Sequence, residues 1–415
     1  MASLTLFRLP LRHGRLLGSM GRFSRIPMRN DVDVPCRRLS SHRSASTLST
    51  TPLTHLQGYD LTHPDCNVPP HIAARVGRNL HHQDPHPLFT IQHLIHEHFH
   101  DFDYLQDLSP VVSTDANFDS LLIPQDHVSR SKSDTYYLNR DVCLRTHTSA
   151  HQTQLLKEGR RQFLVTGDVY RRDEIDASHY PIFHQMEGVK LFDKSTTSEE
   201  EVMQDLKASL SGLATKLFGN VEMRWVEAYF PFTHPSLELE IYYNDQWLEV
   251  LGCGVMQPQI LQQGGHDTTK TNAWAFGLGL ERLAMVLFGI PDIRLFWSED
   301  DRFWNQLKSG QVTKFQPYSK YPPCFKDISF WTPPDDQGSG FHVNDLNEVV
   351  RQLAGDLAEE VTLIDQFTHP KTQRESHCYR ITYRSMDRSL TNVEIDALQE
   401  EVRKTAQDKL NVELR

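Results

Sequence analysis

The sequence predicts an α+β protein, in which an antiparallel sheet is flanked by helices and a smaller second module follows. Three observations support this fold class. Short strand-like segments with turn residues between them recur from residue 162 to residue 251. Segments with apolar residues at helical spacing lie before and between these strands. Beyond residue 322 the strand and helix signals follow the order β-α-β-β-α-β, which is typical of a ferredoxin-like module.

Size and composition are those of a globular protein with two or three domains. The chain has 415 residues, of which 23% are charged and 38% are hydrophobic, so it is neither disordered nor fibrous. The longest strongly apolar run, at 283–290, is far shorter than the roughly 20 residues that span a bilayer, so no membrane contact is expected. The six cysteines are scattered without any Cys-x-x-Cys pair, which argues against a structural zinc site and a disulfide framework.

The first 48 residues are expected to be a mitochondrial transit peptide. Six arginines occur in the first thirty residues, together with serines and leucines, and no acidic residue precedes Asp31. The apolar stretch 4–17 is broken by polar residues and lacks the long apolar core of a secretory signal. The alternative is a disordered basic tail without a targeting role. The first interpretation places the mature protein in the mitochondrial matrix.

Residues 49–307 are expected to form the larger domain. Pro87 opens a segment with apolar residues at helical spacing, ending near Phe99. Short strands and turns are predicted at 117–124 and 134–138, and a polar cluster at 145–152 precedes a helix. Further strands and one long helix follow. The strands are expected at 162–170, 186–192, 221–226, 238–243 and 247–251, and the helix at 195–218.

Residues 308–321, with Gly310 and Pro317, are expected to be a linker, and residues 322–415 the ferredoxin-like module. Within this module the stretch 371–388 contains five basic residues and two acidic ones. Because the chain carries a formal net charge of −11, this stretch is the candidate for a local basic patch that contacts nucleic acid. A solvated charged hairpin explains the same stretch equally well.

Two arginines stand in dissimilar frames that each suggest a phosphate contact. Arg171 lies in VYRRD at 169–173, ahead of FHQMEG at 183–188, and Arg282 lies in AFGLGLERL at 275–283. A guanidinium is planar and permanently charged, so two of them from separate segments can hold a triphosphate at two points. Glycines in the second frame let the backbone approach a ligand. The pair predicts an ATP site.

These two frames resemble motifs 2 and 3 of the class II aminoacyl-tRNA synthetases. Together with three further blocks, they are similar, in the same order, to the single-chain mitochondrial phenylalanyl-tRNA synthetases. In chain order the five blocks are Ser149 with Gln152, FHQMEG at 183–188, YFPFTHP at 229–235, WLEVLGCG at 247–254, and 275–283. The C-terminal module resembles the anticodon-binding domain of that family. The resemblance implies a class II catalytic domain and a two-step reaction, in which phenylalanine and ATP give an adenylate before the acyl group passes to tRNA(Phe).

The resemblance implies roles for the residues around ATP. Catalysis would depend on holding the carboxylate in line with the α-phosphate and on stabilising the charge that develops. Arg171 would contact the α-phosphate and the substrate carboxylate, and Arg282 would hold the γ-phosphate of a bent ATP. Phe183 would stack on adenine. Asp173 stands where the motif more often has glutamate. The remaining nucleotide contacts are attributed to neighbours in the same motifs, namely Ser178, His179, Tyr180, Phe276 and Gly277.

Glu249 lies in an otherwise apolar strand, where an unpaired carboxylate is costly to bury. A Mg²⁺ ion that bridges ATP phosphates would satisfy it, and a buried ion pair with an arginine is the alternative. Mg²⁺ is therefore the expected cofactor.

The resemblance also implies a phenylalanine site. Gln185 and Glu187 are alternate residues of one strand, so they share a face, and they match the ligands of the α-ammonium group. The edges of Phe230 and Phe232, alternate residues on one face, would meet the ring in a T-shaped arrangement, and Ala275 would close the end of the ring slot. The other expected neighbours of the amino acid are His147, Ser149, Ala150, His151, Gln152 and Met186.

The oligomeric state and the rejection of tyrosine are also predicted. By resemblance the protein acts as a monomer, and no editing domain fits in its 415 residues, so tyrosine would be rejected by the ring slot alone. A class II synthetase for another amino acid is one rival, which the two phenylalanines and Ala275 argue against. A catalytically inactive tRNA-binding paralogue is the other. The presence of four residues together speaks against it, namely Arg171, Glu187, Glu249 and Arg282.

Overall fold

The computed structural model describes residues 53–317, 321–333 and 340–415. The predicted transit peptide and Cys36 lie outside these residues. The five described cysteines are free thiols, as the sequence predicts. No described helix is both long enough and apolar enough to span a membrane.

The strands, numbered in chain order, are β1 His55–Leu56, β2 Tyr59–Asp60, β3 Asp103–Leu105, β4 Val111–Ser113, β5 Val142–Leu144, β6 Gln162–Tyr170, β7 Ile182–Asp193, β8 Met223–Ala228, β9 Thr233–Tyr243, β10 Gln246–Met256, β11 Thr271–Gly279, β12 Cys324–Trp331, β13 Ala358–Thr368, β14 Glu375–Tyr383 and β15 Glu413–Leu414. The helices are α1 Pro70–Ala73, α2 Pro87–His98, α3 Thr114–Asn117, α4 Gln152–Lys157, α5 Glu199–Phe218, α6 Pro258–Gln263, α7 Leu280–Phe288, α8 Asp301–Trp304, α9 Val343–Ala354 and α10 Asn392–Leu410. The α+β class is confirmed.

A seven-stranded sheet forms the centre of the larger domain, in the order β3-β6-β7-β11-β10-β9-β8. The pairs from β6 to β8 are antiparallel, as predicted, but the edge strand β3 runs parallel to β6, so the sheet is mixed. The parallel pairing of β3 with β6 depends on the path that the chain takes after α2. The spacing of apolar residues does not predict that path.

The predicted strand at 117–124 is wrong. The segment forms helical turns instead, because the Ser113 hydroxyl accepts a hydrogen bond from the backbone N–H of Ala116 and starts α3. A 3₁₀ turn follows at Asp119–Leu121, and Leu122 then adopts a left-handed conformation. Within 134–138 only an isolated bridge between Tyr137 and Cys143 forms.

Helices cover one face of the large sheet. Helices α2, α5 and α7 bury their apolar stripes against it, with Ile91, Leu210 and Leu283 fully buried. Helix α5 starts at a capping box in which Ser198 and Glu201 exchange hydrogen bonds, which is the signal that the sequence carries. Helices α4 and α6 pack on part of the other face through a second apolar cluster, and the rest of that face remains for the candidate site.

The C-terminal module is a four-stranded antiparallel sheet in the order β13-β14-β12-β15, with α9 and α10 packed on its apolar face. The elements follow the predicted ferredoxin-like order. In the basic stretch 371–388, four arginines are within 3.2 Å of a carboxylate oxygen. The pairs are Arg374 with Glu413, Arg380 with Asp327, Arg384 with Glu359, and Arg388 with Glu394. Most of the positive charge of this stretch is therefore balanced inside the module.

Candidate active site

Residues from four neighbouring strands of the large sheet lie side by side on its open face. Residues that lie directly opposite each other in an antiparallel pair share a face. The register places Glu187 of β7 opposite Gly277 of β11, Gly277 opposite Gly252 of β10, and Gly252 opposite Glu238 of β9. Carboxylates therefore stand on two sides of a row of glycines.

The glycines of this row leave a cleft. A Cβ atom built at Gly277 or at Gly279 would meet no atom within 4 Å. A Cβ at Gly252 would instead lie 2.7 Å from the Cζ atom of Phe230. The absence of side chains at these positions thus makes room for a ligand over β11 and for an aromatic ring over β10.

A β-bulge brings Glu249 to the same face. The register of β10 shifts between Glu249 and Leu251, so Val250 and Leu251 both point into the helix-covered core. Without the bulge, Glu249 and Gly252 would lie on opposite faces of the strand. Glu249 therefore joins Glu238 and Glu240 on the open face, close to the start of α7.

The site contains a buried carboxylate suited to a cation. Glu187 is 3% exposed, and its Oε2 atom accepts a short hydrogen bond from the Ser149 hydroxyl. Burial raises the pKa of Glu187 to about 7, against the lowering effect of hydrogen bonds from Ser149 and Gln152. The Oε1 atom of Glu187 is buried without a hydrogen-bond partner among the described residues. An α-ammonium group would supply the missing donor and compensate the burial.

The neighbouring residues of the polar cluster surround this carboxylate. Gln185 lies two residues before Glu187 on the same face, and Ser149 belongs to a 3₁₀ turn that continues into α4 at Gln152. Burial, together with the charge of Arg171, lowers the pKa of His147 to about 3, so the imidazole is neutral.

Aromatic residues form a slot beside the glycine row. The rings of Phe230 and Phe232 are stacked, with centroids 5.9 Å apart and planes 14° apart. Ala275 is buried opposite Gly254 on β10, and Phe232 packs against the same apolar cluster as Ala275. The structure thus brings together the three residues predicted to bind an aromatic ring.

Arg171 lies at the end of β6, where the hairpin to β7 begins. Its Nε atom donates to the carbonyl oxygen of Thr146 at 2.8 Å, and its guanidinium lies 5.1 Å from the centroid of the Phe183 ring. Burial lowers the pKa of Arg171, and Asp173 opposes this effect. Since Phe183 and Glu187 are on the same face of β7, Arg171 stands beside the predicted amino-acid site.

Arg282 lies in the first turn of α7, with its Nη1 atom 3.9 Å from Oε2 of Glu249. Burial raises the pKa of Glu249 to about 7, and the charge of Arg282 opposes this rise. Burial lowers the pKa of Arg282, against the effect of Glu249, Glu238 and Glu240. Glu240 is also paired with Arg224, whose Nε atom donates to its Oε2 atom at 2.6 Å. Oε1 of Glu249 is buried without a hydrogen-bond partner among the described residues.

The loop between β6 and β7 holds the other predicted nucleotide contacts. Oδ1 of Asp173 accepts a hydrogen bond from the N–H of Glu174 at 2.8 Å. Asp176 organises the next turn, because its carboxylate accepts from the Ser178 hydroxyl at 2.9 Å and lies 2.7 Å from Nδ1 of His179. The side chains of Glu174, Asp176 and His179 have possible metal-ligand atoms within 4.8 Å of one another. The carboxylate of Asp176, however, already makes the contacts that order this turn of the loop.

Several predicted site residues point elsewhere. Met186 and Phe276 are buried in the helix-covered core, because each lies between two residues that face the cleft. Tyr180 is buried too, and its hydroxyl donates to Asp356 of the C-terminal module at 2.9 Å. His151 is 2.9 Å from Nη1 of Arg145. Ala150 is buried within the same 3₁₀ turn as Ser149.

Sequence reasoning missed residues that support the site. Arg145 and Asp168 form a buried ion pair of 3.0 Å beneath the polar cluster, and the Nε atom of Arg145 donates to the Asp168 carbonyl at 2.7 Å. Glu238 and Glu240 were missed as well. Their alternation on β9, facing the strand that carries Glu249, was a signal that could have identified them.

Two arginines from separate motifs, Arg171 after β6 and Arg282 at the start of α7, together with a largely antiparallel sheet that carries the buried carboxylate of Glu187, define a class II aminoacyl-tRNA synthetase core. Comparison with known families agrees. The family described as tRNA synthetases class II core domain (F) matches residues 71–307, and the ferredoxin-fold anticodon binding domain matches residues 319–415.

Individual proteins with similar sequences indicate which family within this class the chain belongs to. The chain is 56% identical over 364 residues to the phenylalanine–tRNA ligase, chloroplastic/mitochondrial, of Arabidopsis thaliana, covering 85% of this chain and 83% of that protein. It is 50% identical over 390 residues to the mitochondrial phenylalanine–tRNA ligase of Mus musculus, covering 84% and 85%. The mitochondrial enzyme of Dictyostelium discoideum is 47% identical over 409 residues, covering 84% and 89%. The chain belongs to the phenylalanine–tRNA ligase family.

Proposed function

We propose that this chain attaches phenylalanine to mitochondrial tRNA(Phe) in two steps. The phenylalanine carboxylate first attacks the α-phosphorus of ATP, giving phenylalanyl-adenylate and pyrophosphate. A ribose hydroxyl of the tRNA then takes the acyl group, and AMP leaves. The observation that carries the proposal is the convergence of Glu187, with its uncompensated carboxylate oxygen, and the Phe230–Phe232 slot on one sheet face.

The amino acid fits this face in one orientation. Its ammonium group would lie at Glu187 and Gln185, near the hydroxyl of Ser149, and its ring would meet the edges of Phe230 and Phe232, toward Ala275. Charge compensation at a buried carboxylate and edge-on contact with two aromatic rings favour an aromatic amino acid. The carboxylate would then point toward Arg171.

ATP would lie over the glycines of β11. In this proposal Phe183 stacks on adenine, Arg171 holds the α-phosphate and Arg282 the γ-phosphate, while Asp173, Ser178, His179 and Gly277 line the nucleotide. Because neither arginine has to move a proton, the rate would come from the alignment of the reacting groups and the stabilisation of charge on the phosphate. The open space over Gly277 and Gly279 supports this position.

The carboxylates near Arg282 fit a magnesium ion. Oε1 of Glu249 is a buried hard oxygen donor without a hydrogen-bond partner among the described residues, and Glu238 and Glu240 share its face. When bound with ATP, Mg²⁺ would neutralise phosphate charge. We expect Glu249→Gln to raise the Mg²⁺ concentration needed for half-maximal amino-acid activation several-fold, measured by pyrophosphate exchange at fixed ATP. An unchanged magnesium dependence would exclude Glu249 as a ligand.

The remaining parts of the proposal concern the cell and the assembly. Residues 1–48 would direct the protein to the mitochondrial matrix, residues 49–307 would form the catalytic domain, and a linker at 308–321 would join it to an anticodon-binding module at 322–415. The protein would act as a monomer. A composition rich in leucine and arginine, with no acidic residue before Asp31, supports the leader, and the matching anticodon-binding family supports the module.

A pyrophosphate-exchange assay across the twenty amino acids tests the proposed function. The purified chain is expected to exchange pyrophosphate into ATP with phenylalanine and to charge tRNA(Phe). Exchange driven by another amino acid would identify a different class II synthetase. If no amino acid supports exchange, while tRNA still binds, the chain is an inactive tRNA-binding protein and the proposal is wrong.

A further inference from the structure

The C-terminal module binds the main chain of the loop that carries the proposed ATP contacts. Four consecutive carbonyl oxygens of this loop accept hydrogen bonds from the module. Nδ2 of Asn344 donates to the carbonyl of Arg172 at 3.1 Å. Nη2 of Arg351 donates to the carbonyls of both Asp173 and Glu174, the latter at 2.7 Å. The N–H of Val361 donates to the carbonyl of Ile175 at 3.0 Å.

Side chains strengthen this contact. Ile175 is only 7% exposed and packs within the apolar core of the module, together with residues of α9, α10 and the small sheet. Nη2 of Arg172 lies 2.9 Å from Oδ1 of Asp345, which is next to Asn344 on α9. The first half of the loop, residues 172–175, is thus bound by the module on both its main chain and its side chains.

The second half of the loop is held differently. Asp176 accepts hydrogen bonds from the N–H groups of Ser178 and His179 at 2.7 and 2.8 Å, and the carbonyl of Ala177 accepts from Ile293 at 2.8 Å. These partners belong to the larger domain. Only the segment with Asp173, next to Arg171, relies on the C-terminal module for its carbonyl hydrogen bonds.

We propose that Arg351 and Asn344 are positioning residues for amino-acid activation, because they fix the loop that places Arg171 and Asp173 against ATP. The inference rests on the proposed function. A loop without helix or strand must be ordered when ATP binds, and pre-ordering by the module removes that cost from nucleotide binding. The module therefore contributes to the first reaction step, which requires no tRNA, in addition to any contact with the anticodon.

Arg351 is the more important of the two because one charged donor serves two carbonyls. Hydrogen bonds from a charged group are stronger than those between neutral groups. We expect Arg351→Ala to raise the KM for ATP about tenfold in phenylalanine-dependent pyrophosphate exchange without tRNA. The KM for phenylalanine, whose site lies on the sheet and not on the loop, is expected to change less than about twofold. Asn344→Ala should shift the KM for ATP in the same direction by a smaller factor.

Two matched variants separate positioning from a general loss of structure. Arg351→Lys keeps a cation and a donor at the same place and should recover part of the lost affinity for ATP. Arg403→Ala removes an arginine from the same module, but its partner is Glu400 on the same helix, α10, so the KM for ATP without tRNA should stay at the wild-type level. Thermal unfolding of each full-length variant identifies any that fail to fold. Hydrogen exchange of peptide 171–181 should be faster in Asn344→Ala, the milder change.

The result separates this inference from the proposed function. If the wild-type chain shows phenylalanine-dependent exchange and both Asn344→Ala and Arg351→Ala, correctly folded, keep the wild-type KM for ATP, the positioning role is wrong and the proposed function stands. A proportional loss of kcat with both KM values unchanged also contradicts positioning of the ATP loop. If the wild-type chain activates no amino acid, the proposed function itself fails.

Discussion

Ser149 and Glu187, 38 residues apart in the chain, meet through a hydrogen bond from the serine hydroxyl to a carboxylate that is almost fully buried. The bond joins the turn before α4 to the central strand β7. One oxygen of the carboxylate is thereby occupied and the other is left for a ligand. The same burial that favours a cation beside this carboxylate also raises its pKa to about 7.

Phenylalanine binding is expected to weaken in mildly acidic solution. The pKa of Glu187 is about 7 in the free protein, and an α-ammonium group requires the ionised carboxylate. Below pH 7 the KM for phenylalanine should rise, approaching tenfold per pH unit, and above pH 7.5 it should be level. His147 and His151, with pKa values of about 3, stay neutral throughout. Pyrophosphate exchange between pH 6 and 8.5 measures the profile.

The control for this profile is Glu187→Gln, which keeps the shape of the side chain without its titration. This variant should bind phenylalanine weakly and with little dependence on pH. The effect of rising pH on protein stability is opposite to its effect on phenylalanine binding. Because the pKa of Glu187 is raised on folding, the ligand-free protein loses stability from this group as pH rises from about 4.5 to about 7. A KM for phenylalanine that is constant from pH 6 to 8.5 in the wild type would contradict the assignment.

Part of the site could be predicted from the sequence because side chains alternate between the two faces of a strand. The rest depends on local irregularities of the backbone and on contacts between distant segments. Gln185 and Glu187 share a face because side chains alternate, and the same rule should have sent Met186 and Phe276 to the core. The place of Glu249 depends on the bulge at Val250, which shifts the alternation and leaves no clear signal in the residues. Arg351 donates to the carbonyls of Asp173 and Glu174, which lie at least 177 residues away in the chain. No local sequence pattern predicts a contact over that separation.

The size of the residue at position 275 is expected to set which aromatic amino acids enter. Ala275 is buried beside the slot formed by Phe230 and Phe232, and its methyl group occupies space at the predicted end of the ring. Ala275→Gly should admit para-substituted phenylalanines, with para-chlorophenylalanine activated at least about tenfold better than by the wild type. Amino-acid activation assays with matched phenylalanine controls measure this. Unchanged selectivity would show that the ring does not end at Ala275.

Tyrosine is expected to be a measurable wrong substrate. The walls of the slot are the apolar rings of Phe230 and Phe232, and an apolar pocket rejects an added hydroxyl by only about a hundredfold. The kcat/KM for tyrosine activation should therefore be lower than that for phenylalanine by about two orders of magnitude. The purified chain should also leave Tyr-tRNA(Phe) intact. Rapid hydrolysis of that product, or discrimination above about 10⁴, would show that a polar group in the slot recognises the hydroxyl.

The buried pair of Arg145 and Asp168 is expected to be a major source of stability beneath the site. Both side chains are at most 2% exposed, Arg145 also donates to the Leu108 carbonyl at 3.1 Å, and the Tyr170 hydroxyl donates to Asp168. Removal of one partner leaves the other charge buried without compensation, so Asp168→Ala should lower the free energy of unfolding by about 3–5 kcal/mol. The exposed pair of Asp327 with Arg380 gives a matched control, since Asp327→Ala should cost less than about 1 kcal/mol. Urea unfolding of both variants gives the comparison. An equal loss of unfolding free energy in the two variants would contradict this prediction, because it would mean that water reaches Arg145. The ion pair would then not explain how His151 and the adjoining turn are held in place.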